Sequence, residues 1–89
     1  MKYILQKKKT IQGAGEGLTL TYSLFRSTGE FGVEEYGIAI EGKGSAGRCI
    51  VPGLTTSLPL AEGYFHRLVR NDVTPLSLMD LTEDFLAEI

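Results

Sequence analysis

The stretch Thr56-Ser57-Leu58-Pro59-Leu60-Ala61-Glu62-Gly63-Tyr64-Phe65-His66-Arg67-Leu68-Val69 decides the fold, because here the apolar spacing changes from every second residue to about one per 3.6-residue turn. Leu58, Ala61, Phe65, Leu68 and Val69 fall on one stripe of a helix. Thr56 or Ser57 supplies a capping hydroxyl, and Pro59 belongs in a first turn, where its missing N–H costs nothing. The pattern predicts a helix to about Asn71. The same start signal returns at Thr74-Pro75, after which Leu78, Leu81, Phe85 and Ile89, flanked by Met79 and Leu86, predict a second amphipathic helix. A connection as short as Asn71 to Thr74 favours an αα-hairpin, whose two stripes can cover one face of a sheet.

Upstream of Thr56 the period is two. Leu18 to Arg26 alternates most clearly, with Leu18, Leu20, Tyr22 and Leu24 on one face and Thr19, Thr21, Ser23 and Phe25 on the other. Turn chemistry from Ser27 to Gly32 leads into Glu34 to Glu41, where Tyr36, Ile38 and Ile40 oppose Gly37 and Ala39. A short strand is expected over Lys2 to Lys7, followed by a loop from Thr10 to Gly17. A last strand is expected over Arg48 to Val51, after a turn at Gly42-Lys43-Gly44-Ser45 and before Pro52-Gly53. The expected architecture is α+β: an antiparallel meander of three to four strands with a C-terminal αα-hairpin on one face, as a single domain over residues 1–89. The second sheet face, small and polar apart from Phe25, is expected to face water, with contact to a second copy as the alternative.

Composition narrows the function classes. The chain has 89 residues, so a two-domain enzyme with a cleft between lobes is excluded. Nine Lys and Arg against eleven Asp and Glu give a net charge of -2, which argues against a dedicated nucleic-acid binder. No apolar run approaches the ~18 residues of a membrane span. The lysines directly after Gln6 leave no room for a secretory signal, so the cytoplasm is the expected compartment and no membrane partner is expected. A lone cysteine, Cys49, fits a reducing compartment and removes multi-cysteine zinc patterns.

Several motifs invite a chemical reading. Gly13-Ala14-Gly15-Glu16-Gly17 resembles a dinucleotide loop but precedes a strand instead of a helix, so it reads as a turn. Gly37, Gly42 and Lys43 begin a phosphate-loop pattern that fails at Gly44, and a hairpin turn explains them better. Cys49 and His66 are the only thiol and imidazole, with nothing in their spacing to join them as nucleophile and base. Asp80, Glu83, Asp84 and Glu88 read as the solvated side of a helix, without the spacing of a calcium loop. No catalytic, metal or cofactor site is expected.

Charge distribution says more. Residues 1–10 hold Lys2, Lys7, Lys8 and Lys9 and no acid, whereas residues 72–89 hold Asp72, Asp80, Glu83, Asp84 and Glu88 and no base. Arg67 and Arg70 add a cationic edge on the first helix. Lys7, Lys8, Lys9, Arg67 and Arg70 therefore form the candidate interaction surface.

Tyr36-Gly37-Ile38, together with Val73, Pro75, Leu78, Asp80 and Glu83-Asp84-Phe85-Leu86, resembles a family of short proteins from Gram-positive bacteria catalogued as a domain of unknown function. The resemblance covers most of the chain from the second strand onward. Ser77 stands where that pattern has histidine, which removes any metal or acid/base role there. No activity comes with the family; the resemblance implies a free-standing small bacterial protein, not a fragment of an enzyme. The expected function is a noncatalytic cytoplasmic protein–protein interaction or adaptor module, binding another protein or a second copy as a homodimer. The alternative is a small regulator that binds nucleic acid through Lys7, Lys8, Lys9, Arg67 and Arg70.

Overall fold

The computed structural model describes residues 2–11, 18–42 and 47–88. Four strands, β1 (Lys2–Ile11), β2 (Leu18–Thr28), β3 (Glu34–Gly42) and β4 (Arg48–Thr55), precede two helices, α1 (Leu58–Arg70) and α2 (Pro75–Glu88). The sheet order is β1-β2-β3-β4 and every neighbouring pair is antiparallel, so the sheet is a simple meander. Both helices pack on it: α1 crosses β2, β3 and β4, and α2 lies over β3 and β4. The fold is α+β with the helical hairpin on one face, as the change of period at Thr56 predicts. The glycine-rich segment Gly13–Gly17 and the turn residues Lys43–Ser45 lie outside the described residues, as does Ile89 of the second stripe.

The core sits between sheet and helices. Leu20, Tyr22 and Leu24 of β2 and Ile38 and Ile40 of β3 are fully buried there. From above, Ala61, Tyr64, Phe65 and Leu68 of α1 and Leu78 and Phe85 of α2 close over them. The start of α1 is capped as its sequence requires, with the Leu60 N–H donating to Ser57 Oγ at 3.4 Å. Its end is a Schellman closure. The Asp72 N–H donates to Val69 O at 3.3 Å and the Val73 N–H to Leu68 O at 3.2 Å, while Asp72 adopts φ 54 and Val73 turns into the core. This closure reverses the chain within four residues and sets α2 beside α1.

Four expectations need correction. β1 does not end at Lys7 but runs on through the lysine triplet to Ile11, pairing Lys7, Lys8 and Lys9 with Tyr22, Thr21 and Leu20. Lysine is well tolerated on an edge strand, where it also discourages pairing with another sheet. β4 continues past Pro52-Gly53 to Thr55. A bulge permits this, since Pro52, Gly53 and Leu54 together oppose Gly37 alone, between the pairs Val51–Ile38 and Thr55–Tyr36. Gly53 takes φ 61 within the bulge, and Leu54 returns to the core. Leu81 is exposed, and its expected place on the inner stripe of α2 is taken by Thr82, only 3% exposed. Lastly, the second sheet face is not uniformly wet. Ser23 is buried, and Phe25, 1% exposed, lies across its cross-strand partner Gly37.

Candidate functional site

Strand alternation divides the lysine triplet. Lys7 and Lys9 pair with the inward residues Tyr22 and Leu20 and share the helix-bearing side, whereas Lys8, opposite Thr21, belongs to the other face. Lys9 is committed to the fold: its Nζ donates to Val69 O at 2.8 Å and forms an ion pair with Asp72. A cation at the carbonyl end of α1 complements the helix dipole and ties β1 to the Schellman turn. Arg67 and Arg70 occupy the same last turn of α1. The structure thus brings Lys9, Arg67 and Arg70 to one end of α1 and sets Lys8 apart. Both partners of the Lys9–Asp72 pair are partly exposed, which limits its worth to about 0–1 kcal/mol.

Beneath that turn, Tyr22 Oη donates to Val73 O at 2.8 Å in the core. Burial, followed by the nearby Asp72 carboxylate, pushes the Tyr22 hydroxyl up to about 12 from its ordinary 10.0. Because the folded value is the higher one, its stabilising contribution is complete below pH 10.0 and is lost as pH rises through about 12. Across that window stability should fall by up to about 1.4 kcal/mol per pH unit for this group. Tyr22→Phe should remove this part of the alkaline slope. At neutral pH it should cost about 1–3 kcal/mol, because the Val73 carbonyl is left buried without its donor. Urea unfolding of both proteins from pH 7 to pH 11.5 measures the two effects; equal stability at pH 7 would contradict the buried bond.

A cleft of about 440 Å³ opens between the end of α1, the turn and α2. Tyr64 and Phe85 line it as a stacked pair, with centroids 4.2 Å and planes 11° apart. Burial pushes the Tyr64 hydroxyl up; its contact with Thr82 Oγ1 at 3.1 Å and the charge of Arg67 pull it back, while Asp84 opposes them. The polar groups around the mouth are largely engaged in holding the turn. Asn71 Nδ2 donates to Arg67 O at 2.9 Å, Thr74 Oγ1 donates to Ser77 Oγ at 3.4 Å, and Asp72 holds Lys9.

A different surface is left uncovered. α2 buries Leu78, Thr82 and Phe85, yet its outer flank carries Leu76, 90% exposed, Met79, 51% exposed, and Leu86, 47% exposed. Leu76 and Met79 border a groove of about 340 Å³ whose other wall is Gly47, Arg48 and Cys49 at the start of β4, an edge strand. These apolar residues share the exposed side of α2 with Asp80 and Glu83, outside the stripe that the core takes. The signal was present in the sequence as Met79 and Leu86 beside the inner stripe, but Leu76 was missed because its contribution to a second stripe emerges only once the inner one is fixed.

The family model for the family of unknown function DUF6514 matches residues 1–88. The chain belongs to DUF6514. No curated protein and no solved structure matches it. Membership in DUF6514 therefore brings no residue roles, and the chemistry rests on the geometry above. In this DUF6514 chain Cys49 lines the groove beside α2, whereas His66 is exposed on α1, edge-on to Phe65 at 5.4 Å, and borders neither cavity. Among the described residues no group of three or more His, Cys, Asp or Glu side chains is placed to hold a metal ion. No described helix is long and apolar enough to cross a membrane.

Proposed function

We propose that this DUF6514 chain is a noncatalytic protein–protein interaction module of the bacterial cytoplasm, in a Gram-positive species as the family resemblance implies. One observation carries the reading: Leu76, Met79 and Leu86 lie exposed along the outer flank of α2, beside the edge strand β4. Scattered apolar residues on a surface mean little, but three on one flank of a helix, two of them bordering a groove, suit a protein-binding surface. The nucleic-acid alternative requires Lys7, Lys8, Lys9, Arg67 and Arg70 on one surface, and the separation of Lys8 from Lys9 weighs against it.

The test is retention of cell proteins on the immobilised full chain, its Leu76→Ser/Met79→Ser variant and a Thr21→Lys variant of the opposite sheet face. Both sets of positions leave the core residues intact, and circular dichroism checks folding. The wild type and Thr21→Lys should retain the same protein, and the double variant should lose it. Identical retention by all three, or retention by none, refutes the reading. Light scattering of the wild type distinguishes a second copy from a different protein as the partner.

A further inference from the structure

On the outward side of α2, Leu76, Met79, Glu83 and Leu86 succeed one another at steps of three, four and three. These steps are the spacing with which one helix presents a seam to another, and the seam begins at Leu76 and Met79, which border the groove beside β4. Three seam positions are apolar and the fourth is Glu83, with Asp80 one turn beyond Leu76. Residues 72–89 contain no Lys, Arg or His to offset these acids. Arg48 contributes to the groove, but the alternation of β4 sets its side chain on the other side of the sheet with that of Glu41, its cross-strand partner.

We infer that the occupant of this flank is an amphipathic helix of a partner protein, with an apolar seam set against Leu76, Met79 and Leu86 and Lys or Arg placed to meet Glu83 and Asp80. The inference rests on the reading of α2 as the interaction surface and adds the chemistry of what it receives. A second copy fits poorly, because packing α2 on α2 juxtaposes two acidic seams with no base on either helix. Glu83 within the seam also fixes register, since only a helix with a cation at the matching turn pairs it without leaving its charge opposed to apolar surface.

The inference is tested by titrating the full-length, isotope-labelled chain with three synthetic peptides of about 15 residues, long enough for helix formation on a surface. The first is a Leu/Lys peptide with apolar residues at three-four spacing, the second has the same composition with alternating spacing, and the third replaces Lys by Glu. The first should shift the amide resonances of α2 and of the start of β4, and the other two should bind at least about tenfold more weakly. Leu76→Ser/Met79→Ser should weaken the first peptide about tenfold, and Glu83→Lys should transfer the preference to the Leu/Glu peptide. Equal binding of all peptides, indifference to Glu83→Lys, or shifts confined to the opposite sheet face overturn it. If the Leu/Lys peptide fails while the retained cell protein still depends on Leu76 and Met79, the partner chemistry is wrong and the interaction surface stands. Loss of both sinks the underlying reading.

Discussion

Phe85→Ala should cost about 3–5 kcal/mol, one of the largest single losses this chain can show, because the ring is buried against the core and stacked on Tyr64. Removal leaves a hole beneath the 440 Å³ cleft that Tyr64 cannot fill while its hydroxyl is held near Thr82 Oγ1. In a domain of this size a loss of that magnitude lowers the melting temperature by more than about 10 °C. An 89-residue chain has little stability in reserve, so the variant is expected to be partly unfolded near 37 °C. Thermal and urea unfolding followed by circular dichroism give the value directly. Melting within about 2 °C of wild type would mean that α2 does not pack on the sheet by this residue.

Gly37→Ala should also destabilise the chain, for the opposite reason, excess volume. A Cβ at Gly37 lies 2.6 Å from Phe25 Cζ and 2.6 Å from Val51 O. The ring can be rotated or removed, but the carbonyl belongs to the backbone that enters the Pro52-Gly53-Leu54 bulge. The expected cost is about 1–3 kcal/mol, and Gly37→Val should exceed it. A second substitution separates the two contacts: Phe25→Ala should rescue Gly37→Ala only in part, because the carbonyl contact persists. Full rescue, or a neutral Gly37→Ala, contradicts the bulge as the reason for glycine here.

These two residues also show where sequence reasoning succeeded and where it stopped. Phe85 was readable from helical periodicity, as were Phe65, Leu68 and Leu78, because a helix buries one stripe and the stripe is local. Gly37 was readable only as a small residue on the second sheet face. Its need for glycine depends on the Phe25 ring from β2 and the Val51 carbonyl from β4, which the sequence does not place together. The bulge hid the end of β4 for the same reason, since Pro52-Gly53 is ordinarily punctuation and becomes strand only because Gly37 stands alone opposite three residues. Tyr64 and Thr82 were passed over because each is polar, and each is buried because it satisfies the other. The same logic applies to Lys9, whose partners Val69 O and Asp72 lie some sixty positions away in sequence.

The functional surface was legible only in part. The opposite charge of the two ends was visible, and so was the acidic character of α2. The basic end, however, is a strand whose alternation distributes its lysines between two faces. The acidic end is a helix whose outer seam is apolar as well as charged, and that combination required knowing which side of α2 the core takes.

The most direct measurement of the central claim is site-specific photo-crosslinking in cells, with a photoreactive residue placed at Leu76, at Thr21 or at Lys8. A discrete adduct to another protein from position 76, lost on Met79→Ser and absent from positions 21 and 8, is the predicted result. Adducts from 21 or 8 with none from 76 would place the partner on the sheet and contradict the account.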